Sequence, residues 1–110
     1  MFVKLAPMTF TRQVREQFDK LDFIVTQHGV AGMWHRRIDP SLVAETCLAP
    51  EETQEDQTSE NVELLFRKYG KKSLRVVVEY SDDKKSIISV TWRGWSHTRT
   101  GKAPRLQGVR

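Results

Sequence analysis

Three strand-like runs follow one another in the second half of the chain, and they constrain the fold more than any other feature. Val62 to Tyr69, Leu74 to Tyr80 (LRVVVEY) and Ser86 to Trp92 (SIISVTW) are rich in β-branched and aromatic residues. Such residues suit a pleated, half-buried surface. Gly70-Lys71-Lys72 and Ser81 to Lys85 separate the runs. Connections this short join antiparallel neighbours, because a parallel crossover takes a dozen residues or more. The runs therefore predict an antiparallel meander of hairpins.

The first half reads as helical. Val14, Phe18 and Leu21 recur at i, i+4 and i+7, one face of a helix. Thr11 is the expected cap of a helix from Arg12 to Leu21, with Phe10 before it as a hydrophobic staple. Thr26 is the expected N-cap of a second helix running through Val30, Met33, Trp34 and Arg37. Gly29 and Gly32 each weaken that helix by up to ~1 kcal/mol relative to Ala, so a packing or access reason is expected for them. Asp39 followed by Pro40 marks the third helix, because Asp caps and Pro fits the first helical position. Pro50 ends it. Ahead of these, Phe2, Val3 and Leu5 offer a short edge strand stopped by Pro7. Helices first and strands later predict an α+β fold, with two or three N-terminal helices on an antiparallel sheet of three to four strands. At 110 residues the chain makes one domain. We place it at residues 1–95, with 96–110 as a basic, flexible C-terminal tail.

Charge is segregated along the chain. Overall there are 18 Lys+Arg and 14 Asp+Glu, a net charge of +4. Residues 51–63 carry six acids and no base, whereas residues 93–110 carry five bases and no acid. Residues 51–60 (EETQEDQTSE) lack any apolar residue and read as a solvated loop. A basic second half suits an anionic partner such as nucleic acid. A solvated surface explains the same pattern without a partner.

Several function classes have no support in the residues. There is no phosphate-binding Gly-rich motif, no Cys-x-x-Cys and no His-x-x-x-His pair. The single cysteine, Cys47, precludes an internal disulfide and lies among apolar helix residues, where a thiol behaves as a small hydrophobe. No cofactor is expected. No apolar run approaches the ~18 to 20 residues of a membrane helix, and the N-terminus lacks a secretory pattern. No membrane association and a cytoplasmic location are expected.

The candidate chemistry lies in histidines and cations. His28 and His35 are seven residues apart, on one helical face but roughly 10 Å apart along the axis, too far for one metal. Gly32 lies between them and Arg36 on the flank. Together they offer a shallow anionic pocket, with imidazole as acid or base and guanidinium as phosphate clamp. Arg75 alternates with Leu74 and Val76 and so faces away from them. Lys68 and Arg67 occupy opposite faces of the preceding strand. Arg93 stands between Trp92 and Trp95, and cations interleaved with aromatics hold phosphates and stack bases. Core packing is the competing reading for Trp92.

Thr26, His28, Met33, Arg36 and Ile38 form a segment Thr-x-His … Met-x-x-Arg-x-Ile, followed by Val43, Pro50, the strand Leu74-Arg75-Val76-Val77, and Thr91. In this order they resemble small bacterial proteins of the RelE/ParE/BrnT toxin superfamily, over roughly residues 20–92. The resemblance implies a RelE-like fold and an RNA-cleaving toxin held inactive by a cognate antitoxin. Cleavage of RNA by its own 2′-OH needs an acid, a base and cations for the phosphorane, without a metal. Catalysis is then expected from His28, Arg36 and Arg75, with the expected site between the His28 helix and the Arg75 strand. His35, Lys68, Arg93, Trp95, Arg99, Lys102 and Arg105 are expected to contact nucleic acid, and His97 is a further acid/base candidate. Two alternatives use the same residues: a non-catalytic nucleic-acid-binding module, and a protein-interaction subunit.

Overall fold

A computed structural model describes residues 5–94. The central feature is the strand β4 (Lys72–Ser81), in which Leu74, Val76 and Val78 are fully buried. It pairs antiparallel with β3 (Val62–Tyr69) on one side and β5 (Lys84–Gly94) on the other. These are the three expected runs, and both turns lie where the sequence places them. Gly70 turns the first hairpin at φ 67°, a backbone conformation that costs a residue without a Cβ little.

The sheet is larger than expected and mixed. Its order is β1-β5-β4-β3-β2, five strands rather than three or four. β2 (Glu52–Glu55) lies within the stretch expected to be a loop, and pairs antiparallel with β3. All four of its residues are exposed. An edge strand held by main-chain hydrogen bonds needs no apolar side chains, so its sequence carries no periodic signal, and its charges discourage further pairing. β1 (Phe23–Val25) pairs parallel to β5. Three residues are too few for a readable alternation. The strand expected at Phe2 to Leu5 lies largely outside the described residues, and Leu5 is not in a strand.

Three helices cover one face of this sheet. α1 (Met8–Asp19) packs beside β1, α2 (Gln27–His35) over β5, and α3 (Pro40–Leu48) over β3 and β4. α1 starts one turn earlier than expected. Pro7 stands at its N-cap, and the Thr11 hydroxyl donates to the Pro7 carbonyl from inside the first turn instead of capping. Phe10 is therefore a helix residue, its ring 5.0 Å from that of Trp34, rather than a staple before the helix. The other two caps match expectation. Thr26 Oγ1 accepts from the Gly29 N–H at 3.1 Å, and an Asp39 carboxylate oxygen accepts from the Ser41 N–H at 2.8 Å. Val14 and Phe18 of α1, Val30 and Met33 of α2, and Val43 of α3 meet Leu74, Val76, Val78, Ile87 and Val90 in one core.

The two glycines of α2 explain its closeness to β5. A Cβ on Gly29 would lie 2.7 Å from the Ile87 carbonyl oxygen, and one on Gly32 would lie 3.2 Å from that of Val90. The Thr26 hydroxyl also donates to the Ile87 carbonyl at 3.0 Å. The start of the helix is thus fastened to the strand beneath it.

Candidate nucleic-acid interface

The second face of the sheet carries the cations that alternation turns away from the core. Leu74 and Val76 are buried under the helices, so Arg75 between them projects to the opposite side. Cross-strand register then builds two rows. Lys68, Ser73 and Arg93 lie opposite one another on β3, β4 and β5. The next row is Glu52, Phe66, Arg75 and Thr91. Adjacent strands are about 4.8 Å apart and rows on one face about 7 Å apart, so Lys68, Arg75 and Arg93 form a triangle with sides of roughly 7 to 10 Å.

Two contacts orient these cations. The Arg75 Nε donates to Thr91 Oγ1 at 3.1 Å. The Arg93 guanidinium lies 5.2 Å from the centroid of the Phe66 ring, within the range of cation–π attraction. Phe66 is only 4% exposed, so it supports Arg93 rather than offering a ring for stacking. Glu52 stands at the edge of the second row, and its carboxylate accepts from Gln54 Nε2 at 2.6 Å. Neighbouring Glu51 accepts from the Lys68 main-chain N–H at 2.9 Å.

Arg67 points to the helix side. Its Nη1 donates to the Ala49 carbonyl past the end of α3 at 2.7 Å, and its Nε lies 3.7 Å from Glu45. The Tyr69 hydroxyl, in turn, donates to Glu45 at 2.7 Å. Burial raises the pKa of that phenol, the contact with Glu45 adds to the shift, and those with Thr46 and Arg67 oppose it. This cluster ties α3 to β3 and leaves Arg67 engaged. Trp92 packs against the core, edge-on to Tyr69 at 6.5 Å.

The residues expected to act together do not share a site. His28 and Arg36 belong to the helix layer, whereas Arg75 lies on the other side of the sheet. The expected site between the His28 helix and the Arg75 strand is therefore not formed. The reason is the strand's two-residue period, which sends Arg75 away from whatever covers Leu74 and Val76. His28 and His35 are both exposed on α2. Arg36 folds back along the helix, and its Nη1 would lie 2.9 Å from a Cβ on Gly32. The missing side chain thus makes room for a guanidinium one turn from His28.

Trp95, His97, Arg99, Lys102 and Arg105 lie outside the described residues, as does the expected tail at 96–110. Among the described residues, no group of three or more His, Cys, Asp or Glu is placed to hold a metal ion. No helix among them is long and apolar enough to cross a membrane. Burial pushes the Cys47 thiol up to about 12, against a smaller opposing effect of Lys85. At neutral pH such a sulfur stays protonated and is a poor nucleophile.

Sequence reasoning missed Thr91 as the partner of Arg75 and Trp34 as an exposed aromatic. The first is a register contact, readable only once the strands are paired. The second carries no sequence signal, because Trp34 sits within an apolar helical segment. No family model, curated protein or solved structure matches the chain.

Proposed function

We propose that this protein binds RNA through the phosphates of a single strand laid across the sheet face opposite the three described helices. The observation that carries this reading is the convergence of Lys68, Arg75 and Arg93 on one face. Arg75 and Arg93 are oriented by Thr91 and Phe66, which lowers the cost of ordering them on a ligand. The β3–β4 turn adds Lys71 and Lys72 at the same end of the sheet, where Gly94 pairs with Lys72.

Binding by phosphates falls with salt. Each phosphate contact on a single strand contributes a slope of about −0.7 in log K against log salt. Fluorescence anisotropy of a labelled single-stranded RNA should give a slope near −2 from these three cations alone. Replacing Lys68, Arg75 and Arg93 by Ala together should weaken binding and flatten the slope by that amount. An affinity and slope unchanged in the triple variant would reject the face as the interface.

A second reading is favoured by the Arg36 side chain lying over Gly32 near His28. In it the protein is a metal-independent ribonuclease toxin of RelE-like fold, held by an antitoxin. His28 exchanges the proton and Arg36 stabilises the phosphorane, both on the helix side of the sheet. Incubation with total RNA in EDTA distinguishes the two: cleavage abolished in His28→Ala favours the enzyme, and intact RNA favours the binding module.

A further inference from the structure

The helix layer holds a groove that the sheet-face reading does not use. It lies between α1 and the C-terminal end of α2, with a volume of about 610 Å³. Phe10, Met33, Trp34, His35, Arg37 and Asp39 are among its walls. Trp34 contacts Phe10 on one side yet remains 43% exposed. A large aromatic left this open next to a cavity is available to a planar ligand.

The backbone at Arg37 is the second observation. α2 ends in a pair of reversed hydrogen bonds, from Ile38 N–H to the Met33 carbonyl at 2.9 Å and from Arg37 N–H to the Trp34 carbonyl at 3.3 Å. This ending requires a left-handed residue between them, a position that glycine fills without strain. Here Arg37 fills it at φ 54°. The other non-glycine residues with positive φ among those described are Asp22 and Asp82. Aspartate tolerates this region through local hydrogen bonds of its short side chain, and arginine has no such compensation. The strained position sets a guanidinium at the rim of an aromatic groove. Arg37 forms no ion pair with a carboxylate among the described residues. Asp39 is committed to the Ser41 N–H.

We propose that this groove binds a nucleotide, with its base against Trp34 and its phosphate on Arg37. The groove volume lies within the ~300 to 1,000 Å³ typical of small-ligand sites. Base stacking and a guanidinium–phosphate contact together select a nucleotide over a nucleoside or a bare anion. The same chemistry is supplied by a free mononucleotide or by one splayed nucleotide of an RNA strand.

Isothermal titration with adenosine 5′-monophosphate, adenosine and inorganic phosphate tests the site. The monophosphate should bind saturably, and adenosine and phosphate each at least about tenfold more weakly. Arg37→Gly should weaken the monophosphate by about tenfold while raising the Tm by about 4 °C, because it relieves the left-handed strain. Loss of binding in a more stable protein cannot come from unfolding. The Lys68, Arg75 and Arg93 triple Ala variant should bind the monophosphate as the parent does, so the two proposals fail separately. If only a short single-stranded RNA binds, the strand is the source, provided Arg37→Gly weakens it in the triple-variant background. No binding of either ligand sensitive to Arg37→Gly, or adenosine binding as tightly as the monophosphate, overturns the proposal.

Discussion

Single residues set the spacing and the pH limits of this protein. Gly29 allows α2 to approach β5, because its hydrogen stands where a Cβ would lie 2.7 Å from a main-chain oxygen. Alanine is favoured over glycine in a helix by ~1 kcal/mol, but overpacking against a backbone that cannot rotate away costs about 1 to 3 kcal/mol. Gly29→Ala should therefore lower stability by up to about 2 kcal/mol in a denaturant titration. Gly32→Ala should cost less, since the nearest atom to its Cβ is the mobile Arg36 Nη1. Tyr80 sets a limit at high pH. Its hydroxyl donates to Glu63 at 2.7 Å, and burial, then Glu63, raises its pKa to about 12. The folded protein holds this proton more tightly than the unfolded chain, whose phenol titrates near about 10. The stabilisation is complete below about pH 10 and is lost as pH rises towards about 12. Tyr80→Phe should flatten the loss of Tm over that interval, and an unchanged profile would count against the assignment.

At the scale of elements, helix α2 is the most determined by its cap. Thr26 accepts a hydrogen bond from the helix and donates one to the strand, so it sets both the start of α2 and its attachment to β5. Thr26→Ala removes both and should destabilise by about 1 to 2 kcal/mol, at the upper end for an N-cap. Thr26→Ser, which keeps both bonds, should recover most of this in the same thermal melt. The N-caps at Thr26 and Asp39 and the three long strands are legible in the sequence because each rests on a local preference or a strict alternation. The start of α1 is not. Thr11 satisfies the Pro7 carbonyl from within the helix, and a sequence does not reveal which of two partners a hydroxyl takes. β1 and β2 leave no pattern. One is three residues long, and the other is an exposed edge strand whose pairing uses only the main chain.

Over the whole molecule, antiparallel pairing turns a sequence split into a spatial one. The β3–β4 turn, Lys68, Arg75 and Arg93 gather at one end of the sheet, and the β2–β3 connection with Asp82 and Asp83 at the other. The sheet is therefore polarised along its strands. The sequence beyond Gly94 adds Arg99, Lys102, Arg105 and Arg110 to the cationic end of the chain. Ending the protein after Gly94 should weaken RNA binding and reduce the salt slope by about 0.7 for each phosphate that those cations neutralise. An unchanged slope would confine binding to the sheet.

Local preferences along the chain are enough to specify the α+β class, the meander of three strands, two helix caps and the face to which Arg75 points. Each follows from a period or a preference acting over a few residues. What those residues meet was settled by packing in three dimensions. Packing placed the sheet between Arg75 and His28, seated Arg93 on Phe66, let Arg36 fill the space at Gly32, and opened the groove at Trp34 and Arg37. These are contacts between segments far apart in the chain or between side chains whose rotamers depend on their surroundings. No local preference specifies them, because their energies arise only when the elements are brought together.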